Sequence, residues 1–92
     1  MSKLAGFSSP FGSQTRTRIL LELFKEETWG RELSRRLDLD VFTVQTALES
    51  LELDALVAGR LVGRTKLYRI NPSYFAKQEL LAYLARLVEA IG

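Results

Sequence analysis

Leucine and valine recur every three or four residues from Gly30 to about Leu53, then every second residue to Ile70, so two helices followed by paired strands are expected. Leu33 and Leu37 make one face of a short helix that also carries Arg31, Arg35 and Arg36. Asp38-Leu39-Asp40 follows as a tight turn around a buried leucine, and Asp40 is placed to cap a second helix from about Val41 to Leu53. The inward stripe of that helix is Val44, Leu48 and Leu51, which leaves Phe42, Thr43, Gln45, Thr46 and Glu49 facing outward. Leu56 to Leu61 and Thr65 to Ile70 read as the strands of a hairpin turning at Val62-Gly63-Arg64, with Tyr68 and Ile70 sharing the core face and Asn71-Pro72-Ser73 ending the second strand.

The flanks complete the pattern. Residues 1–12, rich in Gly, Ser and Pro with isolated Phe7 and Phe11, read as a flexible arm. Ser13 would cap a first helix from Gln14 to about Glu26, with Ile19, Leu20, Leu23 and Phe24 on its inner side. Thr28-Trp29 is expected to be a short strand pairing with the hairpin. A last helix beginning between Ser73 and Lys77 and running to about Ala90 carries Leu80, Leu84, Leu87 and Ile91 in one stripe, with Leu81 and Val88 beside it. With Ala85 these positions spread over roughly 160° of the circumference. An arc that wide serves more than one surface, so this helix is expected to close its own core and to join a homodimer through Leu80, Leu84, Leu87, Val88 and Ile91. A chain of 92 residues has a limited core, and burial against a partner subunit would add to it.

Composition narrows the chemistry. The sequence has no cysteine and no histidine, which removes disulfides, zinc-finger and thiolate metal sites, Ser-His or Cys-His nucleophilic pairs and imidazole proton shuttles. No cofactor is expected. The longest apolar run, Leu80 to Ala85, is far too short to span a membrane, and the N-terminal residues form no continuous hydrophobic signal core; a soluble cytoplasmic protein is the expectation. A net charge of +2 says little alone, but none of the eleven acidic residues falls between Ala55 and Gln78, where Arg60, Arg64, Lys66, Arg69 and Lys77 all lie. Gly59 to Lys66 looks superficially like a phosphate-binding loop. It fails because the glycine spacing is one residue short, arginine replaces the lysine, and a strand rather than a helix follows. Glu26 and Glu27, at a helix end, are most simply solvated, and no enzymatic constellation is left.

The ordered set Gly30 to Leu51, then Leu56-Val57 and Gly63-Arg64-Thr65-Lys66-Leu67-Tyr68-Arg69-Ile70-Asn71-Pro72, resembles the winged helix-turn-helix of ArsR-type and MarR-type bacterial transcription regulators. Phe11-Gly12-Ser13 with Ile19-Leu20 is similar to that family's first helix, so the likeness spans about residues 11–75. The resemblance implies an α+β fold: a three-helix core, a small antiparallel sheet bearing the wing, and a C-terminal helix, together forming one domain over residues 13–92. It implies a sequence-specific regulator of bacterial or archaeal type that binds double-stranded DNA. Phe42, Thr43, Gln45 and Thr46 would sit at base-reading positions, and Arg60, Arg64 and Lys66 on the wing against the backbone. Three departures stand out. Asp38 and Ala55 occupy positions where glycine is usual, and the absence of Cys and His means that the metal sensing of many ArsR-type members does not carry over.

Within that frame several roles stay open. Phe42 would touch a thymine methyl, pack on its neighbours or mark a protein partner; Glu49 would be solvated or accept from a cytosine amine. Arg16, Arg18, Arg31, Arg35 and Arg36 are phosphate clamps or ordinary surface charges, and because Glu32 and Arg36 are four apart and suited to pair, Arg31 and Arg35 are the better phosphate candidates. The alternative for the whole chain is a winged helix used for protein contact, for which Glu49, Glu52 and Asp54 are the best sequence evidence. Operator, effector and sign of regulation are not written in these residues.

Overall fold

The computed structural model describes residues 14–91, in the order α1 (Gln14–Lys25), β1 (Thr28–Trp29), α2 (Gly30–Leu37), α3 (Val41–Leu53), β2 (Val57–Val62), β3 (Thr65–Ile70) and α4 (Lys77–Ile91). This is the expected α+β winged-helix architecture. The proposed arm, residues 1–12, and the proposed cap Ser13 lie outside the described residues.

The strands form one antiparallel sheet in the order β1-β3-β2, so β3 is central. Thr28 pairs with Tyr68 and Trp29 with Leu67, while β2 runs opposite β3 from Val57↔Ile70 to Val62↔Thr65. Only Gly63 and Arg64 connect the hairpin. Gly63 takes φ +66 at the first central position, where a tight reverse turn between twisted strands asks for glycine.

The core is one cluster. Ile19, Leu20, Leu21 and Leu23 of α1 meet Leu33 and Leu37 of α2, Val44, Leu48 and Leu51 of α3, Leu56 and Val57, Tyr68 of β3, and Leu80, Leu84 and Leu87 of α4. Ile70 packs at the edge of this cluster, on the face it shares with Tyr68. The left-handed turns expected from sequence are present, at Asp38 (φ 55) and Ala55 (φ 63). At the first, Ser34 O accepts from both the Asp38 and Leu39 amides, closing α2 so that Leu39 swings back over the core. At the second, Leu56 N donates to Leu51 O and Asn71 Nδ2 donates to Ala55 O, which ties the end of α3 to the end of β3.

One expectation is corrected here. Leu80, Leu84 and Leu87 were assigned to a dimer interface, but all are buried in the core of their own chain. A helix laid across a three-helix core spends its main stripe on that core, so only the flank beside it, with Val88 and the half-buried Leu81 and Ile91, faces outward.

Candidate nucleic-acid interface

Asp40 sets the start of α3. Its carboxylate accepts from Thr43 N at 2.8 Å and from Thr43 Oγ1 at 2.8 Å, and these bonds, the amide foremost, hold the Asp40 carboxyl below its ordinary pKa. Thr43 is thereby half-buried with its hydroxyl committed to the cap. Phe42 and Thr46 project into solvent, Phe42 at 80% exposure.

Gln45 differs from the sequence reading, which turned it outward. It is half-buried, and its Nε2 donates to Tyr68 Oη at 3.3 Å. The reason lies in two distant residues. Tyr68 is buried, and its hydroxyl needs a partner there. Gly30 leaves room beside α3, since a Cβ at that position would stand 3.3 Å from Gln45 Oε1. The outward strip of α3 is therefore Phe42, Thr46, Glu49 and Leu53, which at 100° per residue fall within about 60° of one another.

The cations also divide. Arg35 Nε donates to Glu32 Oε1 at 3.0 Å, Arg60 pairs with Glu27 at 3.1 Å, and Lys66 pairs with Glu52 at 2.9 Å while lying over the Tyr68 ring at 5.5 Å from its centroid. Arg35 was singled out over Arg36 as the freer residue, yet both share Glu32, and Arg36 reaches Glu26 and Glu22 as well. Those contacts, the two arginine hydrogen bonds above all, lower the Glu32 pKa to about 2. Arg16 bonds Ser50 and Asp54, and Arg18 donates to Leu37 O at 3.0 Å, so both fasten helices together. Among the described residues, Arg31, Arg64, Arg69 and, on α4, Arg86 are exposed and have side chains engaged by no hydrogen bond or ion pair. Arg69 was visible in the basic stretch of the sequence, but its two-residue spacing from Leu67 is needed to place it on the outer sheet face.

A cleft of about 910 Å³ separates α2 from the hairpin end, lined by Trp29, Arg31, Glu32, Ser34, Arg35, Val62 and Thr65. It brings the α2 arginines alongside the segment that ends in Arg64. A smaller groove of about 400 Å³ runs between α1 and α3, with Phe42, Thr43 and Thr46 on one wall and Thr15 and Arg16 on the other. Among the described residues no group of His, Cys, Asp and Glu could hold a metal ion, and no helix is long and apolar enough to cross a membrane.

No protein-family model and no characterised protein sequence matches the chain. Solved structures do. HlyU from Vibrio cholerae N16961 is 28% identical, with 85% of this chain aligned to 77% of that one at a TM-score of 0.72. The transcriptional regulator HlyU from Vibrio vulnificus CMCP6 is 25% identical over 87% and 78% of the two chains at 0.75. The adhesin competence repressor AdcR from Streptococcus pyogenes, 20% identical over 85% and 58% at 0.72, shares the fold. These neighbours are winged-helix transcription regulators rather than enzymes, the class that the sequence resembles.

Proposed function

We propose that this chain is a duplex-DNA-binding transcription regulator, with α3 entering the major groove and the hairpin wing following the backbone. The observation that carries the reading is the pair of exposed arginines without ion pairs, Arg31 lining the cleft between α2 and the hairpin and Arg64 in the wing turn between Val62 and Thr65, which line the same cleft. Phosphates occupy that cleft's rim, where Arg31 and Arg64 supply charge directly. Arg35, Arg60 and Lys66 contribute after exchanging an internal carboxylate for a phosphate. Phe42 and Thr46 face the base edges; Thr43 and Gln45 act at the same surface through the helix cap and the bond to Tyr68. The regulator works as a cytoplasmic homodimer on an inverted repeat, its two recognition helices about one DNA turn, roughly 34 Å, apart.

Salt dependence tests this reading. Duplex affinity should fall steeply as salt rises, because each neutralised phosphate releases counterions. Arg64→Ala should weaken binding to all sequences alike and reduce the magnitude of the log-log salt slope by about one unit or less. Absence of duplex binding at low salt, or an unchanged slope, overturns it.

One observation favours a second reading. The outward strip of α3 joins Phe42 and Leu53, 80% and 87% exposed, through the acidic Glu49, a surface suited to a protein partner. In that event Phe42→Ala abolishes partner capture while duplex affinity is nil for both forms.

A further inference from the structure

From Asp38 to Gly59 the chain contains no lysine or arginine, and its charges are Asp38, Asp40, Glu49, Glu52 and Asp54. Asp40 is taken up by the helix cap, Glu52 by Lys66 and Asp54 by Arg16. Glu49 is exposed and engaged by no hydrogen bond or ion pair among the described residues, although its charge reaches Lys66. It lies on the same strip as Phe42 and Thr46. From Phe42 to Glu49 is seven residues, about 10.5 Å of helix axis, the rise of roughly three base pairs.

The chemistry of this strip is lopsided. Glu49 only accepts, Phe42 is apolar, and Thr46 offers a methyl and a single hydroxyl. The one carboxamide nearby, Gln45, is held by Tyr68. In the major groove guanine presents two acceptors, N7 and O6, and calls for a bidentate donor; cytosine presents an amine donor and thymine a methyl group. We propose that α3 selects pyrimidines: a cytosine whose N4 amine donates to Glu49 and, within about three base pairs of it, thymine whose methyl packs on Phe42 and Thr46, with no bidentate contact to guanine. The proposal rests on the DNA-binding reading and adds a division of labour. The arginines of α2 and the wing supply affinity, and α3, which repels phosphate, supplies discrimination alone.

Sites selected by the full-length protein from a random duplex pool should carry, in each half-site, a cytosine with thymine within about three base pairs on one side. Glu49→Gln turns an acceptor into a donor-acceptor pair that matches adenine N6 and N7, so preference at one position should move from cytosine to adenine by about tenfold. Loss of a negative charge should also raise affinity for every duplex. Replacing the thymines with uracil should weaken binding severalfold, whereas 7-deazaguanine should leave it unchanged. A selected site anchored on guanine and weakened by 7-deazaguanine overturns the proposal, as does a cytosine preference that survives Glu49→Gln. Salt-dependent binding without base preference overturns it while leaving the DNA-binding reading intact; absence of duplex binding removes that reading too. Glu49 is exposed, so an unchanged circular-dichroism melt of the variant separates these outcomes from misfolding.

Discussion

Ala55 sits at φ 63 without the freedom glycine has there, and its neighbours depend on that conformation: Leu56 N returns to Leu51 O, and Asn71 reaches Ala55 O. A left-handed L-residue costs about 1–2 kcal/mol, partly offset by the extra chain entropy glycine loses on folding. Ala55→Gly should therefore stabilise by about 0.5–1 kcal/mol, and thermal denaturation should show Tm rising by roughly 2–8 °C. An unchanged or lower Tm would show that the strain is absorbed elsewhere. Asp38→Gly should gain less, because aspartate enters this region more readily. Both positions were legible by comparison with the motif, where glycine is usual. Gln45 was not: a helical wheel sends a polar residue outward, and nothing local reveals that Gly30 and Tyr68, fifteen residues before and twenty-three after, make a half-buried seat for its amide.

At the level of elements, α2 is bound to α1 by charge as well as by leucines. Arg36 reaches Glu22 of α1 at 3.5 Å and Glu26, just past its end, at 2.9 Å, while within α2 Arg36 and Arg35 share Glu32. Because the folded-state pKa of Glu32, about 2, lies below its ordinary value of 4.5, the carboxylate contributes stability above about pH 4.5. That contribution fades as pH falls through the folded value. A carbon-detected NMR titration should place the Glu32 midpoint near 2, and Arg35→Ala with Arg36→Ala should return it toward 4.5. A wild-type midpoint near 4.5 would refute the cluster. The elements themselves were largely readable, since β1, α2, α3 and β3 fall where periodicity and turn residues put them. The pairing state of the wing was not. Arg60 and Lys66 find Glu27 and Glu52 across 33 and 14 residues, contacts that no window along the chain contains.

For the molecule as a whole, the breadth of the apolar arc on α4 was legible, but its division between core and partner was not, because that depends on how the helix is rotated against α1. Leu84 is wholly buried, and charge placed there should unfold the chain rather than dissociate it. Val88, 41% exposed, lies on the flank of α4 that its own core leaves uncovered. Sedimentation equilibrium of the full chain at tens of micromolar should show a dimer, with Leu81→Glu plus Val88→Glu giving a monomer of native circular dichroism. A monomeric wild type would refute dimerisation, and a dimer that survives the double variant would move the contact away from α4.

Placing β3 between β1 and β2 has a consequence for the order of events during synthesis. The middle strand of the sheet is made last, and Thr28 waits for Tyr68 forty residues further along. Until Ile70 has cleared the ribosome, β1 and β2 have no common partner, and the helices before them lack the Tyr68 ring that seals their core. The hairpin closes locally in microseconds once both its strands are free, whereas capture of β1 must close the long loop between them. A nascent chain halted at Gly63 would hold α1, α2 and α3 and no sheet, so the wing arrives together with Tyr68, and the core is completed only when α4 adds Leu80, Leu84 and Leu87.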